Sequence, residues 1–199
     1  MNLVALIKPN KKIFLEVKKY KGEVFKKFGK QTYVDHLPHL TIFNLKINSK
    51  INLKNEIKIK NLKLNELKII IKKRYYFESD PITKKITFIL LVKKNKTLQR
   101  IQDKLLLKFK KFKKLEKLKF KNKEFNRNYR IFGYPFVNKN WKPHLTIASV
   151  NNSLTSDNLF KKFLSSKKIL KENFRFVYFY KYTKGRHIFL KKAKLVNEK

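Results

Sequence analysis

The pentapeptide Pro-His-Leu-Thr-Ile occurs twice, at residues 38–42 and again at 143–147. Proline cannot donate to a hydrogen-bonded ladder, so each copy reads as the first residues of a strand. Along a strand, residues two apart share a face, which puts His39 beside Thr41 and His144 beside Thr146. Leu40, Ile42, Leu145 and Ile147 then face the other way, toward a core. A chain that carries this amphipathic strand twice must bury two apolar faces while leaving two polar faces open to a shared space.

The rest of the pattern places one copy in each of two similar half-sequences. Residues 2–8 are apolar, bounded by Pro9, and read as a buried strand; from 11 to 28, Ile13, Phe14, Val17, Val24 and Phe25 fall near the helical repeat. Strands follow at 39–47, 66–77 and 83–92, the last two flanking the turn-like Glu78-Ser79-Asp80-Pro81 as a hairpin. Leu98, Ile101, Leu105, Leu106, Phe109 and Phe112 predict a helix over 97–118. Residues 119–142, with Gly133 and Pro135, read as a surface loop beside a cleft. A strand at 144–150, a helix from about Ser156 to Ser166, a strand at 173–182, a turn at Thr183-Lys184-Gly185 and a strand at 186–196 complete the order. Each half runs strand, helix, strand, strand. The expected fold class is α+β: one bilobal domain over 1–199, split into halves of about 1–96 and 97–199. Its two mainly antiparallel sheets, with flanking helices, are related by a pseudo-twofold axis and enclose a cleft.

Composition narrows the chemistry. The chain has 199 residues, no Cys and four Gly, so disulfides, thiolate nucleophiles and cysteine-ligated zinc are excluded, and no glycine-rich phosphate loop or dinucleotide fingerprint exists. No His-Glu-x-x-His occurs, the acids are sparse, and no serine sits in a nucleophile elbow. A formal charge of +39 suits a polyanionic ligand. Only six of the 52 basic residues are Arg, while Lys, Asn, Ile and Phe abound, so codon bias is an equal reading of that charge. The N-terminal apolar run is too short for a signal peptide, and no stretch reaches the roughly 20 apolar residues of a membrane helix; the expectation is a cytoplasmic, monomeric protein.

Two facing His-x-Thr strands form a four-group cradle. Imidazole titrates nearest neutrality, so one neutral His can take a proton from an attacking water while its protonated counterpart supplies one to a leaving oxygen. Threonine hydroxyls can donate to nonbridging phosphoryl oxygens, where charge grows in the transition state. This scheme needs neither metal nor cofactor.

The paired motifs, above all Trp141-Lys142-Pro143-His144-Leu145-Thr146-Ile147-Ala148, closely resemble the 2H phosphoesterase superfamily, which includes the 2'-5' RNA ligase-like proteins and cyclic phosphodiesterases. The resemblance extends to the order of elements over nearly the whole chain. It implies two lobes around a water-filled cleft, an acid/base pair of His39 and His144, and phosphate-holding Thr41 and Thr146. It further implies action on 2',3'-cyclic phosphates or 2'-5' linkages of RNA or nucleotides, with water opening a cyclic phosphate to a 2'-phosphate. In bacterial members named for RNA ligation an Arg usually follows the second motif; here the chain continues Ala148-Ser149-Val150.

Further candidates flank the motifs. Alternation puts Phe43 on the face of His39 and Thr41, where its ring could stack a nucleobase or fill the core. Tyr134 and Phe136 precede the second motif and could line the cleft; Lys142 and Arg186 could meet phosphate or remain solvated. His36 and His187 lie outside the motif and read as structural or exposed. Partners consistent with these residues are RNA, an oligonucleotide or a cyclic nucleotide. Two other functions fit the same sequence: a noncatalytic basic RNA-binding protein, and the same chemistry turned on a signalling oligonucleotide.

Overall fold

The computed structural model describes residues 1–48, 50–63, 67–80, 82–184 and 186–196. β1 (Asn2–Ile7), α1 (Lys11–Phe28), β2 (Leu40–Lys46), α2 (Leu53–Glu56), β3 (Asn61–Lys63), β4 (Leu67–Phe77) and β5 (Ile86–Val92) come first. α3 (Lys96–Phe109), α4 (Lys123–Phe132), β6 (His144–Val150), α5 (Asn158–Ser165), β7 (Leu170–Phe174), β8 (Phe176–Thr183) and β9 (Arg186–Val196) follow. The fold is α+β. Of the strand and turn residues read from the sequence, Glu66, Pro81 and Gly185 lie outside the described residues.

The strands join in the order β3-β9-β8-β1-β2-β6-β5-β4-β7. All pairings are antiparallel except β3 with β9. The middle of this sheet is narrow: β2 and β6 meet at a single residue pair, Leu40 with Leu145. The nine strands thus form one sheet rather than the two expected, with two mainly antiparallel portions that join only through the two motif strands.

The strands do not divide between the two sides at residues 96 and 97. One side holds β1, β2 and β3 with β8 and β9, the other β4, β5, β6 and β7. The run 173–182, which reads as one strand, breaks at Arg175; β7 goes to the edge of β4, and β8 crosses to pair with β1. β1 therefore has an antiparallel neighbour along both edges, whereas β4 pairs with β7 over Leu67–Ile71 and with β5 over Ile71–Phe77.

The helices cross this junction. α1, which follows β1, packs against β6, β7 and α5, and α3, which follows β5, packs against β2. Leu98, Ile101, Leu105, Leu106 and Phe109 form the buried stripe of α3, as their spacing predicts. α1 is also tied electrostatically to the far side. The buried Glu16 carboxylate receives the Arg74 guanidinium of β4 at 3.1 Å and the Lys168 ammonium at 2.6 Å. Removing one member of such a buried pair costs about 3–5 kcal/mol, because the other charge stays behind.

Two local regions depart from the sequence reading. The helix predicted to reach 118 ends at Phe109, followed by one 3-10 turn over Lys110–Phe112. The region predicted as a surface loop instead contains α4. Its N-cap is Asn122, whose side chain accepts from the Glu124 and Phe125 amides, and it stops at Gly133 in the left-handed conformation, φ 71°. A side chain on Gly133 would also meet Lys113 Cβ at 2.8 Å. No described helix is long and apolar enough to cross a membrane.

Candidate active site

Both motif strands carry the same irregularity. In β2, Thr41 pairs with Leu6 and Phe43 with Ala5, so Ile42 is an extra residue. In β6, Thr146 pairs with Ile89 and Ala148 with Phe88, which leaves Ile147 extra. A β-bulge at the motif isoleucine ends the simple alternation and re-aims every side chain after it. This corrects the placement of Phe43: it lies on the core face, fully buried, with its ring 5.9 Å from that of Phe109. Ala148, its counterpart, is buried likewise.

Before the bulges the alternation holds. Leu40 and Leu145 are buried and cross-paired, so the flanking histidines and threonines point to the opposite face. Because the strands run antiparallel through that pair, His39 stands across from Thr146 and Thr41 across from His144. The two histidines are then diagonal neighbours, about 7–8 Å apart in an ideal ladder. All four are partly buried.

The two rings are held alike. His39 Nδ1 is 2.8 Å from the Leu37 carbonyl, and His144 Nδ1 is 2.7 Å from the Lys142 carbonyl. A carbonyl oxygen only accepts, so Nδ1 carries the hydrogen in each ring. In the neutral imidazole, Nε2 then keeps its lone pair and is free to take a proton.

Their surroundings differ. Burial lowers the pKa of His39 to about 4 against the pull of the Leu37 carbonyl, and His187, His36 and Lys21 add to the depression. The ring centroid of His187 lies 6.1 Å from that of His39. Burial also lowers His144, but there both the Lys142 carbonyl and the Asp80 carboxylate favour the charged ring. Phe77 packs edge-on against His144 at 5.1 Å.

Other residues support this centre from outside. The carbonyl of the bulged Ile42 accepts from Gln102 Nε2 at 2.9 Å, and the same amide group donates to the Phe136 carbonyl at 3.1 Å. Lys21, almost fully buried, donates to the Tyr33 carbonyl in the segment leading to the first motif; burial lowers its pKa to about 8. Tyr33 has φ 71°, uncommon for a bulky side chain, and its hydroxyl is pushed up to about 12 by burial and by the nearby Asp80 and Tyr182.

The remaining sequence candidates fare unequally. Lys142 stands beside the second motif, its ammonium 5.7 Å over the Tyr75 ring and 6.0 Å over that of Phe77, the ring that touches His144. Arg186 is exposed at the start of β9, opposite Thr183. Tyr134 and Phe136 pack on each other at 5.5 Å as partly buried rings against the core, and burial raises the Tyr134 hydroxyl. Sequence reasoning missed His187, Phe77, Asp80 and Gln102. Their proximity depends on the β8–β1–β2 and β5–β6 pairings and on the packing of α3 against β2, which no local signal announces. Among the described residues no group of three His, Asp or Glu is arranged to hold a metal ion.

The model of the family described as the 2'-5' RNA ligase superfamily matches residues 9–185. No curated protein sequence matches the chain. Several solved structures share its fold. The TT0787 protein of Thermus thermophilus superposes with a TM-score of 0.62 at 14% identity, with 100% of both chains covered. Escherichia coli LigT, in complex with 3'-AMP, gives 0.56 at 13% identity over 98% of each chain. A protein described only as a phosphoesterase gives 0.55 at 12% over 98% of each.

Proposed function

Because the chain belongs to the 2'-5' RNA ligase superfamily, we propose that it is a phosphodiesterase that acts on a 2',3'-cyclic phosphate or a 2'-5' linkage of RNA or a nucleotide. The observation that carries this reading is the antiparallel Leu40–Leu145 pair, which turns two His-x-Thr strands toward one space. That the LigT relative binds 3'-AMP supports a nucleotide substrate.

In this scheme the phosphate lies between the rings, and Thr41 and Thr146 hydroxyls donate to its nonbridging oxygens. Nε2 of His39 takes a proton from water as the new P–O bond forms. Nε2–H of His144 protonates the departing ribose oxygen as the old P–O bond breaks. The assignment follows from the surroundings: burial lowers both rings, His187, His36 and Lys21 lower His39 further, and Asp80 partly offsets the lowering at His144. After turnover each ring has exchanged its protonation state, and solvent restores both. Lys142 adds positive charge near the incoming phosphate.

The test is hydrolysis of a 2',3'-cyclic mononucleotide and of a 2'-5'-linked dinucleotide, with chelator present, by the wild type and the His39→Ala and His144→Ala variants. Chelator-resistant turnover of either substrate, abolished by each substitution, is the expected result. Absence of turnover on both, with RNA binding unchanged in the variants, would replace the enzyme by the binding protein.

A further inference from the structure

The face of β1, β8 and β9 that continues from Thr41 carries a row of rings that the reaction scheme does not use. Phe176, Tyr178, Tyr180 and Tyr182 alternate along β8, so all four share one face, roughly 6.7 Å apart along the strand. Their cross-strand partners on β9 are Lys194, Lys192, Phe189 and His187 in the same order. Ring centroids of Phe176 and Tyr178 lie 6.3 Å apart along β8, and across to β9 those of Tyr180 and Phe189 lie 5.6 Å apart and those of Tyr182 and His187 4.8 Å. Beside them on the same face stand Val4 and Leu6 of β1, the partners of Tyr180 and Tyr178, which form a buried cluster with Tyr180. The row ends at the first motif, where His187 meets His39.

Cations accompany the rings. Lys8 Nζ lies 4.9 Å over Tyr178 and 5.3 Å over Tyr180, and Lys192 Nζ lies 4.8 Å over Phe176. Residues 176–196 contain no Asp or Glu. At its far end the row opens into a cavity of about 500 Å³ bordered by Lys8, Arg175, Phe176 and Tyr178. The acid at that rim, Glu172, is engaged by the amides of Lys12 and Ile13.

The packing of Val4, Leu6 and Tyr180 accounts for the middle of the row but not for its β9 side. Tyr180 is buried, but Phe189 is 51% exposed and His187 is exposed too, on the part of β9 that precedes a bulge at Leu190. Aromatic faces at regular spacing, interleaved with cations and free of acids, are what a single-stranded nucleic acid requires: bases stack on rings while phosphates meet ammonium groups. We propose that the β8–β9 ring row is a binding track for single-stranded RNA, which holds the nucleotides adjoining the phosphate placed between His39 and His144. The substrate class is accordingly an RNA strand several nucleotides long rather than a mononucleotide. This inference rests on the phosphodiesterase reading for what is held at the end of the track, but binding along it needs no turnover.

The experiment measures fluorescence anisotropy of a labelled single-stranded RNA hexamer with an ordinary 3'-hydroxyl, titrated with the full chain. The same titration is run with an abasic hexamer and with a blunt duplex. The wild type should bind the RNA strand most tightly. Tyr178→Ala and Phe189→Ala should each weaken it by about five- to 150-fold, the range for one lost stack. Tyr178→Phe should bind like wild type, and Lys192→Ala should flatten the salt dependence by about one phosphate contact. Equal affinity for the abasic strand or the duplex, or alanine variants that bind like wild type while melting at the wild-type temperature, would overturn the track. If ring-dependent binding persists without turnover of any cyclic or 2'-5' substrate, the catalytic reading falls and the track stands. If a cyclic mononucleotide is cleaved without ring-dependent RNA binding, the track falls alone.

Discussion

The two motif strands match up to their fifth residue and diverge after it. Each begins with proline, holds its imidazole through Nδ1 to the carbonyl two residues back, and bulges at isoleucine. Beyond the bulge, Asn44 accepts from Asn2 at 2.8 Å on one side, whereas Ser149 joins Thr83 and Thr87 in a hydroxyl cluster on the other. Around the rings the contrast is electrostatic. His39 faces His187, His36 and Lys21; His144 faces Phe77 and the field of Asp80. Backbone geometry thus supplies two equivalently held imidazoles; burial disfavours charge on both, the cationic neighbours of His39 disfavour it further, and Asp80 partly offsets it at His144, which in the proposed scheme suits His39 to the neutral role and His144 to the charged one.

The strongest way to break this contrast removes the imidazoles one at a time. On a 2'-5'-linked substrate, His39→Ala and His144→Ala should each lower kcat/KM by about 10²- to 10⁴-fold. On an aryl phosphodiester, whose leaving group departs without a proton, His144→Ala should recover most of its loss and His39→Ala should not. Equal losses on the aryl ester, or recovery by His39→Ala instead, would reverse or erase the assignment. Next in size are the hydroxyls. Thr41→Val and Thr146→Val should each lower kcat by about 10²- to 10³-fold, the usual effect of one lost donor to a developing oxyanion. Steady-state kinetics should find the two losses similar, because the threonines stand at equivalent positions around the Leu40–Leu145 pair; a loss confined to one would show that the phosphate sits off the pair.

The support behind the strands is unequal as well. Gln102 satisfies the Ile42 carbonyl from α3. Gln102→Leu leaves two buried carbonyls without that donor and should destabilise the fold by about 1–3 kcal/mol in urea unfolding. An unchanged midpoint would mean that water or the backbone replaces the amide.

The sequence makes some of this legible and cannot make the rest so. Pro-His-Leu-Thr-Ile announces the strands, the face shared by His39 and Thr41, and the buried Leu40, because period-two alternation is local. It cannot announce the bulges: a bulge depends on the partner strand, and for that reason alternation alone puts Phe43 on the wrong face. α1 and α3 are readable from apolar stripes, while α4, whose cap at Asn122 and stop at Gly133 stand in the sequence, is obscured by its polar interior. The exchange of β8 to the β1 side is invisible, since an apolar strand does not name its neighbour. That exchange is what brings His187 to His39, and a histidine that reads as structural or exposed proves to be part of the surroundings of the site.

The smallest effects offer the finest test of the asymmetry. Because burial lowers both histidines from their ordinary 6.5, the kcat/KM profile should peak on the acid side of that value. Its acid limb, where His39 gains a proton, lies near pH 4; its alkaline limb, where His144 loses one, lies below 6.5. A bound phosphate is an anion beside both rings and raises both pKa values, so the kcat profile should sit at higher pH than that of kcat/KM. Asp80→Asn removes a charge that favours the His144 imidazolium, which should move the alkaline limb to lower pH and leave the acid limb in place. His187→Ala removes a neighbour that disfavours the His39 imidazolium, which should move the acid limb to higher pH. Each substitution should narrow the bell from its own side. If either variant shifts both limbs together, the rings titrate as one coupled pair, and the distinction between base and acid belongs to the pair rather than to its members.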